Sequence, residues 1–468
     1  MQDLGAAVTE TSSRNRAGWP SPAGLAAGLG ALAEGLRGSG TRAASLRGTV
    51  LSTAGFGAQK LLQLASNLIL TRILFPEAFG LMAIASIFLL GISLFSDLGI
   101  HQAIVQKKRG QEELFLNTAW SIKIIRGFAI WLVACAVAWP VSRLYSEAVL
   151  FPLICALATT AIVQGFASTA ISTLNRQLQF KRVVLLELLQ AIIATLITIG
   201  LALWLKSVWA LAAGAIAGGI IRTILSHVML PSHRHRFALD RSCAMEIIHF
   251  GKWILLATVA CFLGSHAQPL LQGYLVSMAT LGLLTIATSF VSAIDELADK
   301  LLTSVGFPAL SRVVREQPER LHITVRQLRV VTNVIGVTAF LMLAMLAGGL
   351  IEFLYDPRYL EASVYLSILA VNGAIDFMQG LYQSVQLARG DSRGHFCVMA
   401  MMAVSRTLGT VTGFYLAGVN GMLYGLCAGS LASYALSLLL AYRGGFACLK
   451  TDFMTLVVIA FFSTAVLG

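Results

Sequence analysis

Residues 80–95 read GLMAIASIFLLGISLF, an apolar run without a single charged side chain. At 1.5 Å of helical rise per residue, a block of roughly 20 such residues crosses a ~30 Å hydrocarbon core. Blocks of this kind recur near 50–73, 80–105, 115–138, 149–173, 183–205, 208–230, 253–275, 281–306, 329–350, 362–387, 395–417 and 421–442. They are continuous rather than alternating, which favours helices over a barrel, because lipid obliges each segment to satisfy its own backbone. Phe453–Gly468 is apolar but short, so residues 443–468 read as a tail or an incomplete extra span. Apolar residues make up 57% of the chain, charged residues only 12%, and mean hydropathy is +0.78. That is half the charge of a soluble globule. The expected fold is all-α, a polytopic membrane protein of about 12 transmembrane helices, or 13–14 with the terminal stretch.

The net charge of +12 raises the question of nucleic acid. Its distribution answers it. With the N-terminus inside, 24 of the 34 Lys and Arg fall on cytoplasmic loops, among them Lys107, Lys108, Arg109, Arg176, Lys181, Arg182, Arg312, Arg315, Arg320, Arg326 and Arg329. The opposite loops carry only Arg72, Arg143, Lys206 and Arg358. This is the positive-inside asymmetry of membrane insertion, and it argues against a nucleic-acid partner. The seven cysteines are scattered without a C-x-x-C, which implies neither a disulfide framework nor a metal site. Residues 1–46, rich in Gly, Ala, Ser and Arg, read as a disordered cytoplasmic arm.

The longest loop, residues 232–252, divides the spans six and six, giving lobes over 47–231 and 253–442. Within it Ala244–Trp253 looks amphipathic, as a helix on the inner membrane face would. An internal match supports the division: GLMAIASIF at Gly80–Phe88 shares five of nine positions with GLLTIATSF at Gly282–Phe290, an offset of 202. The two segments are the second and eighth spans, so six spans intervene and orientation is preserved. Two parallel halves require that relation. The same offset sets Asp97 opposite Asp299.

Ionisable groups inside spans cost ~3 kcal/mol or more on insertion scales, so each is a functional candidate. On the first span Lys60, Gln63, Asn67 and Thr71 form a polar stripe, widened by Gln59 and Ser66. Such a stripe lines a water-filled cavity or bonds neighbouring helices. Asp97 and Lys123 lie at equal depth on consecutive spans and could pair, leaving Arg126 one turn deeper as a free cation. The same arithmetic pairs Asp376 with Arg406. In the eighth span Glu296 and Lys300 stand in helix-pair order, leaving Asp295 and Asp299 four apart on one face as candidates for proton or cation coupling. Lys60, Lys123, Arg126, Arg222 and Arg406 outweigh the acids near them. A cation-rich interior suits an anionic ligand such as a pyrophosphate and repels a cationic drug. No Walker A loop, H-E-x-x-H or G-x-S-x-G is present, so neither ATP, a resident metal, a cofactor nor hydrolytic chemistry is implied.

LTRILFPEAFG at Leu70–Gly80, FSDLGIHQAIV at Phe95–Val105, LNRQLQFKRVVLLE at Leu174–Glu187, FPALSR at Phe307–Arg312 and LYDPRYLEA at Leu354–Ala362 together resemble the bacterial polysaccharide transporters, the Wzx-type flippases. The resemblance implies the fold of the multidrug, oligosaccharidyl-lipid and polysaccharide exporter superfamily: two six-helix lobes around a central cavity, working by alternating access. It implies undecaprenyl-pyrophosphate-linked oligosaccharide as cargo, moved from the cytoplasmic to the periplasmic leaflet of the inner membrane. Ion-gradient coupling is implied too, with a polysaccharide polymerase and export machinery as neighbours.

One departure stands out. Relatives carry an Asp in a D-n-l-l-i-G pattern of the seventh span, where this chain has Gln268 in QPLLQG, and a Tyr where it has Leu284. Gln cannot titrate, which passes any coupling role to Asp97, Asp295 or Asp299. The expected site is therefore Lys60, Lys123, Arg126 and Arg222 for the pyrophosphate, with Gln59, Gln63 and Asn67 for sugar or phosphate oxygens. A drug or cation antiporter and a peptidoglycan-precursor flippase are the rival transport readings. A membrane polysaccharide polymerase or ligase is the rival of another class, disfavoured by short outer loops with few charges.

Overall fold

A computed structural model describes residues 41–467 apart from 178, 231–234 and 302–306. Most of the expected N-terminal arm lies outside the described residues, and the first helix, α1 (Thr41–Ile73), already runs through Thr41–Leu46. Pro76 opens α2 (Pro76–Phe95), where its missing N–H would have had no helical partner. The span expected over 80–105 is not one rod. Asp97 accepts the Gly99 N–H at 3.1 Å, and Gly99 turns the chain at φ +59° before the short α3 (Ile100–Gln106) begins.

After α4 (Glu113–Leu144), the span expected over 149–173 is likewise broken: α5 (Leu150–Gly165) and α6 (Ala170–Arg176) meet at 60°. The two short helices lock together. Arg176 donates to the carbonyls of Ile104, at 2.8 Å, and Lys107 at the end of α3, and His101 meets Ser172 at 2.8 Å. The hairpin of α7 (Phe180–Leu205) and α8 (Val208–Val228) closes through glycines. A Cβ on Gly214 would lie 2.0 Å from Thr198 Oγ1, the close approach that small residues at four-residue spacing allow.

The linker does not lie free. Its extended backbone donates from Arg236, Ala238 and Asp240 to Asn117, Ser121 and Thr118 along one face of α4, at 3.0, 3.0 and 3.3 Å. Asp240 then caps α9 (Arg241–Leu275) by accepting the Cys243 N–H at 2.9 Å, and that bond holds its carboxyl below the usual range. The amphipathic stretch expected to rest on the membrane is the beginning of α9. Cys243 and Ile247 are buried with Ile104, Phe115 and Ala119, and Glu246 pairs with Lys107 at 3.4 Å, while Met245 and Ile248 of the same stretch are exposed.

After α9 come α10 (Met278–Leu301), α11 (Phe307–Glu316), α12 (Leu321–Thr332) and α13 (Thr338–Leu354), the last two joined by a π-helical turn into one 34-residue rod. α14 (Ala362–Ala388) runs through the middle and is the most buried of the long helices. α15 (Ser392–Arg443) is two rods joined at Ala417–Gly418, where Gly418 takes φ +63°. The terminal stretch forms α16 (Leu449–Leu467). Asp452 in its first turn meets Arg329 at 2.6 Å, and their side chains are 1% and 0% exposed. Arg329 also donates to Tyr434 Oη at 2.7 Å and to the Met378 carbonyl, while Tyr382 donates to Asp452. Arg329, grouped by sequence with the loop cations, is thus a buried structural one.

Among the described residues eight helices are long and apolar enough to cross a membrane, nine with the bent α5–α6 pair. α1 and α9, at 33 and 35 residues, have the length as well. The protein is an all-α, multi-pass membrane protein. Exposed Trp139, Trp204, Trp209, Tyr274, Phe353 and Tyr415 gather near the turns with few charges, forming the aromatic girdle of one interface. The turns rich in Lys and Arg lie at the opposite, basic end.

Candidate functional site

A cavity of about 650 Å³ opens among α1, α2, α5, α7, α8 and α10. The α1 stripe lines it with Gln59, Gln63, Ser66 and Asn67, and α8 contributes Arg222. All of these except Ser66, four in number, belong to the seven residues expected to bind cargo. Four-residue spacing along α1 brings its polar groups to one face, and the Gly214–Gly218 packing sets Arg222 two turns beyond the closest contact of α7 with α8. Sequence reading missed Gln164, Gln190, Thr195 and Thr198 on α5 and α7, and Ser86, Thr285 and Ser289 on α2 and α10. None of them belongs to a stripe as dense as that of α1, so spacing did not single them out. The signal that could have found the α7 group is Gly214 and Gly218 on the neighbouring helix.

The cavity's hydrogen-bonding capacity is largely unspent. Among the described residues, the side chains of Gln63, Asn67, Gln164, Gln190 and Arg222 make no hydrogen bond or ion pair with protein. Each amide offers two donors and an acceptor, and the guanidinium five donors. Leaving such groups unpaired in a membrane interior is costly unless water or a polar ligand meets them.

Lys123 and Arg126 line a second, smaller space of about 120 Å³ with Ser93, Gly127, Ala161 and Gly165. Gln164 borders both spaces, making them neighbours. α4 and α5 touch through glycines here: a Cβ on Gly127 would lie 2.5 Å from the Ala161 carbonyl. Arg222 and Arg126 are close enough for their charges to act on Lys123. The expected pairing of Asp97 with Lys123 does not form. Lys123 donates to the Ala167 carbonyl at 2.7 Å, in the break between α5 and α6, and Asp97 instead meets Arg126 at 3.8 Å. Arg126 also donates to Ser93 O at 2.7 Å and Ser96 Oγ at 3.1 Å. The break in the fourth span displaces the partner that equal depth would have chosen. Asp97, a coupling candidate, sits at the end of α2 as turn former and ion-pair partner.

Lys60 does not line the cavity. Its Nζ meets Glu296 of α10 at 2.8 Å; the side chain of Lys300, which the sequence sets beside Glu296, lies outside the described residues. Gln59, on the other edge of the stripe, donates to Glu187 of α7 at 3.4 Å. In the second half Arg406 and Asp376 pair as their depth predicts, and Asn372 bridges Asp376, at 2.9 Å, to Ser430, at 2.7 Å. Asp295 lies within reach of the charges of Asp376, Asp299 and Arg406, while Asp299 is exposed near the end of α10.

At the end away from the basic loops, side chains tie elements before the linker to elements after it. Tyr359 donates to the Leu74 carbonyl at 2.8 Å, and Tyr145 to the Leu270 carbonyl at 3.0 Å. Arg358, held by Asp356 at 2.7 Å, lies over the Phe75 ring at 4.7 Å. The Tyr359 bond occupies a carbonyl that the end of α1 leaves without a helical partner, whereas Leu270 lies on α9.

The helix order and the cavity among the helices define a polytopic all-α membrane fold. Two solved structures share it: the inward-facing conformation of a MATE-family multidrug resistance transporter of the MOP superfamily, and the lipid II flippase MurJ in an inward closed conformation. The first has a TM-score of 0.63 at 13% identity, covering 84% of this chain and 95% of that one. The second has a TM-score of 0.58 at 13% identity, covering 89% and 91%. The chain belongs to the polysaccharide biosynthesis protein family, whose family model matches residues 69–364. It is 20% identical over 323 residues to the lipopolysaccharide biosynthesis protein WzxC of Escherichia coli (strain K12), covering 67% of this chain and 64% of that protein. It is 22% identical over 330 residues to the succinoglycan biosynthesis transport protein ExoT of Rhizobium meliloti (strain 1021), covering 70% and 65%. The match thus spans just under two thirds of these relatives' length.

Proposed function

We propose that the protein is a flippase for polyprenyl-pyrophosphate-linked oligosaccharide, carrying it from the cytoplasmic to the periplasmic leaflet of the bacterial inner membrane by alternating access. The basic end is cytoplasmic in this reading, with the N-terminus. The observation that carries it is the cavity wall: unpartnered amides at Gln63, Asn67, Gln164 and Gln190 beside the cations Arg222, Lys123 and Arg126. Amides suit the hydroxyls of sugars, and clustered cations suit a pyrophosphate. A cationic drug would meet Arg222, the one charged side chain on the described wall of the larger cavity, which disfavours the antiporter reading. The relatives WzxC and ExoT, named for lipopolysaccharide biosynthesis and succinoglycan transport, agree with a glycan cargo. Coupling falls to Asp295, beside the Asp376–Arg406 pair, with Asp299 as second candidate.

The test is made in cells deleted for the gene. Lys123→Ala and Arg126→Ala are expected to abolish surface polysaccharide while leaving the protein in the membrane. Wild-type polysaccharide in both variants would refute the assignment.

A further inference from the structure

The two edges of the α1 stripe are held differently. On the Gln59 edge α1 packs closely along α7, where Gly55 sits against Val184. On the Lys60 edge it meets α10 of the other half, where Lys60 and Glu296 bridge the seam at 2.8 Å. Their side chains are 26% and 41% exposed, and Lys60 also lies over the Phe56 ring at 5.6 Å. Behind the seam lies the cavity, with Gln63 and Asn67 of α1 on one wall and Thr285 and Ser289 of α10 on another. A cargo whose headgroup enters the cavity while its lipid tail stays in the bilayer must pass such a seam.

We propose that the Lys60–Glu296 pair is a latch on this seam, which the anionic headgroup of the cargo opens by taking Lys60 from Glu296. This rests on the reading of the cargo as a lipid-linked diphosphate. A half-exposed ion pair is weak, so a competitor need offer little to win. A diphosphate offers several charged oxygens to the three donors of one ammonium, against a single carboxylate. Exchange of partners leaves α1 and α10 without their bridge and admits the headgroup towards Arg222. Lys60, expected from sequence to line the cavity, thereby becomes the residue that meets the cargo at its entrance.

The experiment uses the full-length protein in nanodiscs with farnesyl diphosphate as probe. Spin labels at Leu61→Cys and Leu297→Cys, both exposed positions, report the distance across the seam. In the otherwise unaltered protein the probe should lengthen that distance. Glu296→Gln should lengthen it without probe and bind the probe roughly two- to fivefold tighter, the range that a part-exposed pair supports. Lys60→Gln should also widen the seam but bind the probe more weakly. Opposite changes in affinity are the signature of competition. If both variants shift affinity in the same direction, or neither does, the latch is wrong although the cargo reading stands. If the protein fails to bind the probe at all, both readings fall.

Discussion

Gly80 of α2 and Gly282 of α10 each lie against the backbone of the other's helix. A Cβ on Gly80 would stand 2.0 Å from the Met278 carbonyl oxygen, and one on Gly282 would stand 1.9 Å from that of Pro76. Pro76 and Met278 are themselves related by the offset of 202 that relates the glycines. The repeat seen in sequence therefore meets itself across an approximate two-fold axis, at the end away from the basic loops. Gly80→Ala and Gly282→Ala each force a backbone to move. With an overpacking cost of about 1–3 kcal/mol, the balance shifts roughly five- to hundredfold towards opening at this end. A cysteine at Ser66 should then react severalfold faster with an impermeant maleimide applied from the non-basic side. Unchanged labelling would mean that the crossing is not part of the closure.

Tyr359→Phe removes only the hydroxyl that reaches the Leu74 carbonyl. Losing one hydrogen bond costs about 1 kcal/mol, so the same labelling assay should rise by a factor at the low end of that range, roughly fivefold. Asp356→Ala should act in the same direction through Arg358, which it positions.

Asp452→Leu leaves Arg329 buried without its carboxylate, and breaking a buried pair costs about 3–5 kcal/mol. The purified variant should melt well below the wild type and lose protection of α16 in hydrogen exchange. Pairing it with Arg329→Met should restore much of the stability, since two apolar side chains need no partner. A double variant as weak as the single one would contradict this account.

Gln164→Leu and Gln190→Leu change side chains that bond to no described residue. They should leave thermal stability within about 0.5 kcal/mol of wild type yet reduce transport, because only the cargo uses those amides. Unaltered transport by the pair combined would remove them from the site.

Much of this architecture was legible from spacing. The α1 stripe reached the cavity because a helix repeats its faces every 3.6 residues, whatever surrounds it. Asp376 found Arg406 because both lie on continuous helices, so depth could be counted from the turn between them. The same counting failed for Lys123, because the fourth span breaks at 166–169 and offers it the Ala167 carbonyl. Lys60 was placed in its stripe, but its partner Glu296 was not legible: a position at the stripe's edge can face either way, and only tertiary packing chooses. Arg329 and Asp452 are 123 residues apart, and neither sits in a pattern that names the other. Gln164 and Gln190 sit among threonines and apolar residues without the dense stripe of α1, so spacing alone did not mark them.

The central claim is that the cations beside the cavity carry an anionic headgroup through the bilayer. Its most direct measurement is translocation of a labelled polyprenyl-pyrophosphate oligosaccharide in proteoliposomes, with and without a pH gradient, comparing wild type with Arg222→Gln. The account predicts transport by the wild type and at least a tenfold loss in the variant, the worth of a charged hydrogen bond of about 1.5–3 kcal/mol. Equal rates in the two proteins would contradict it.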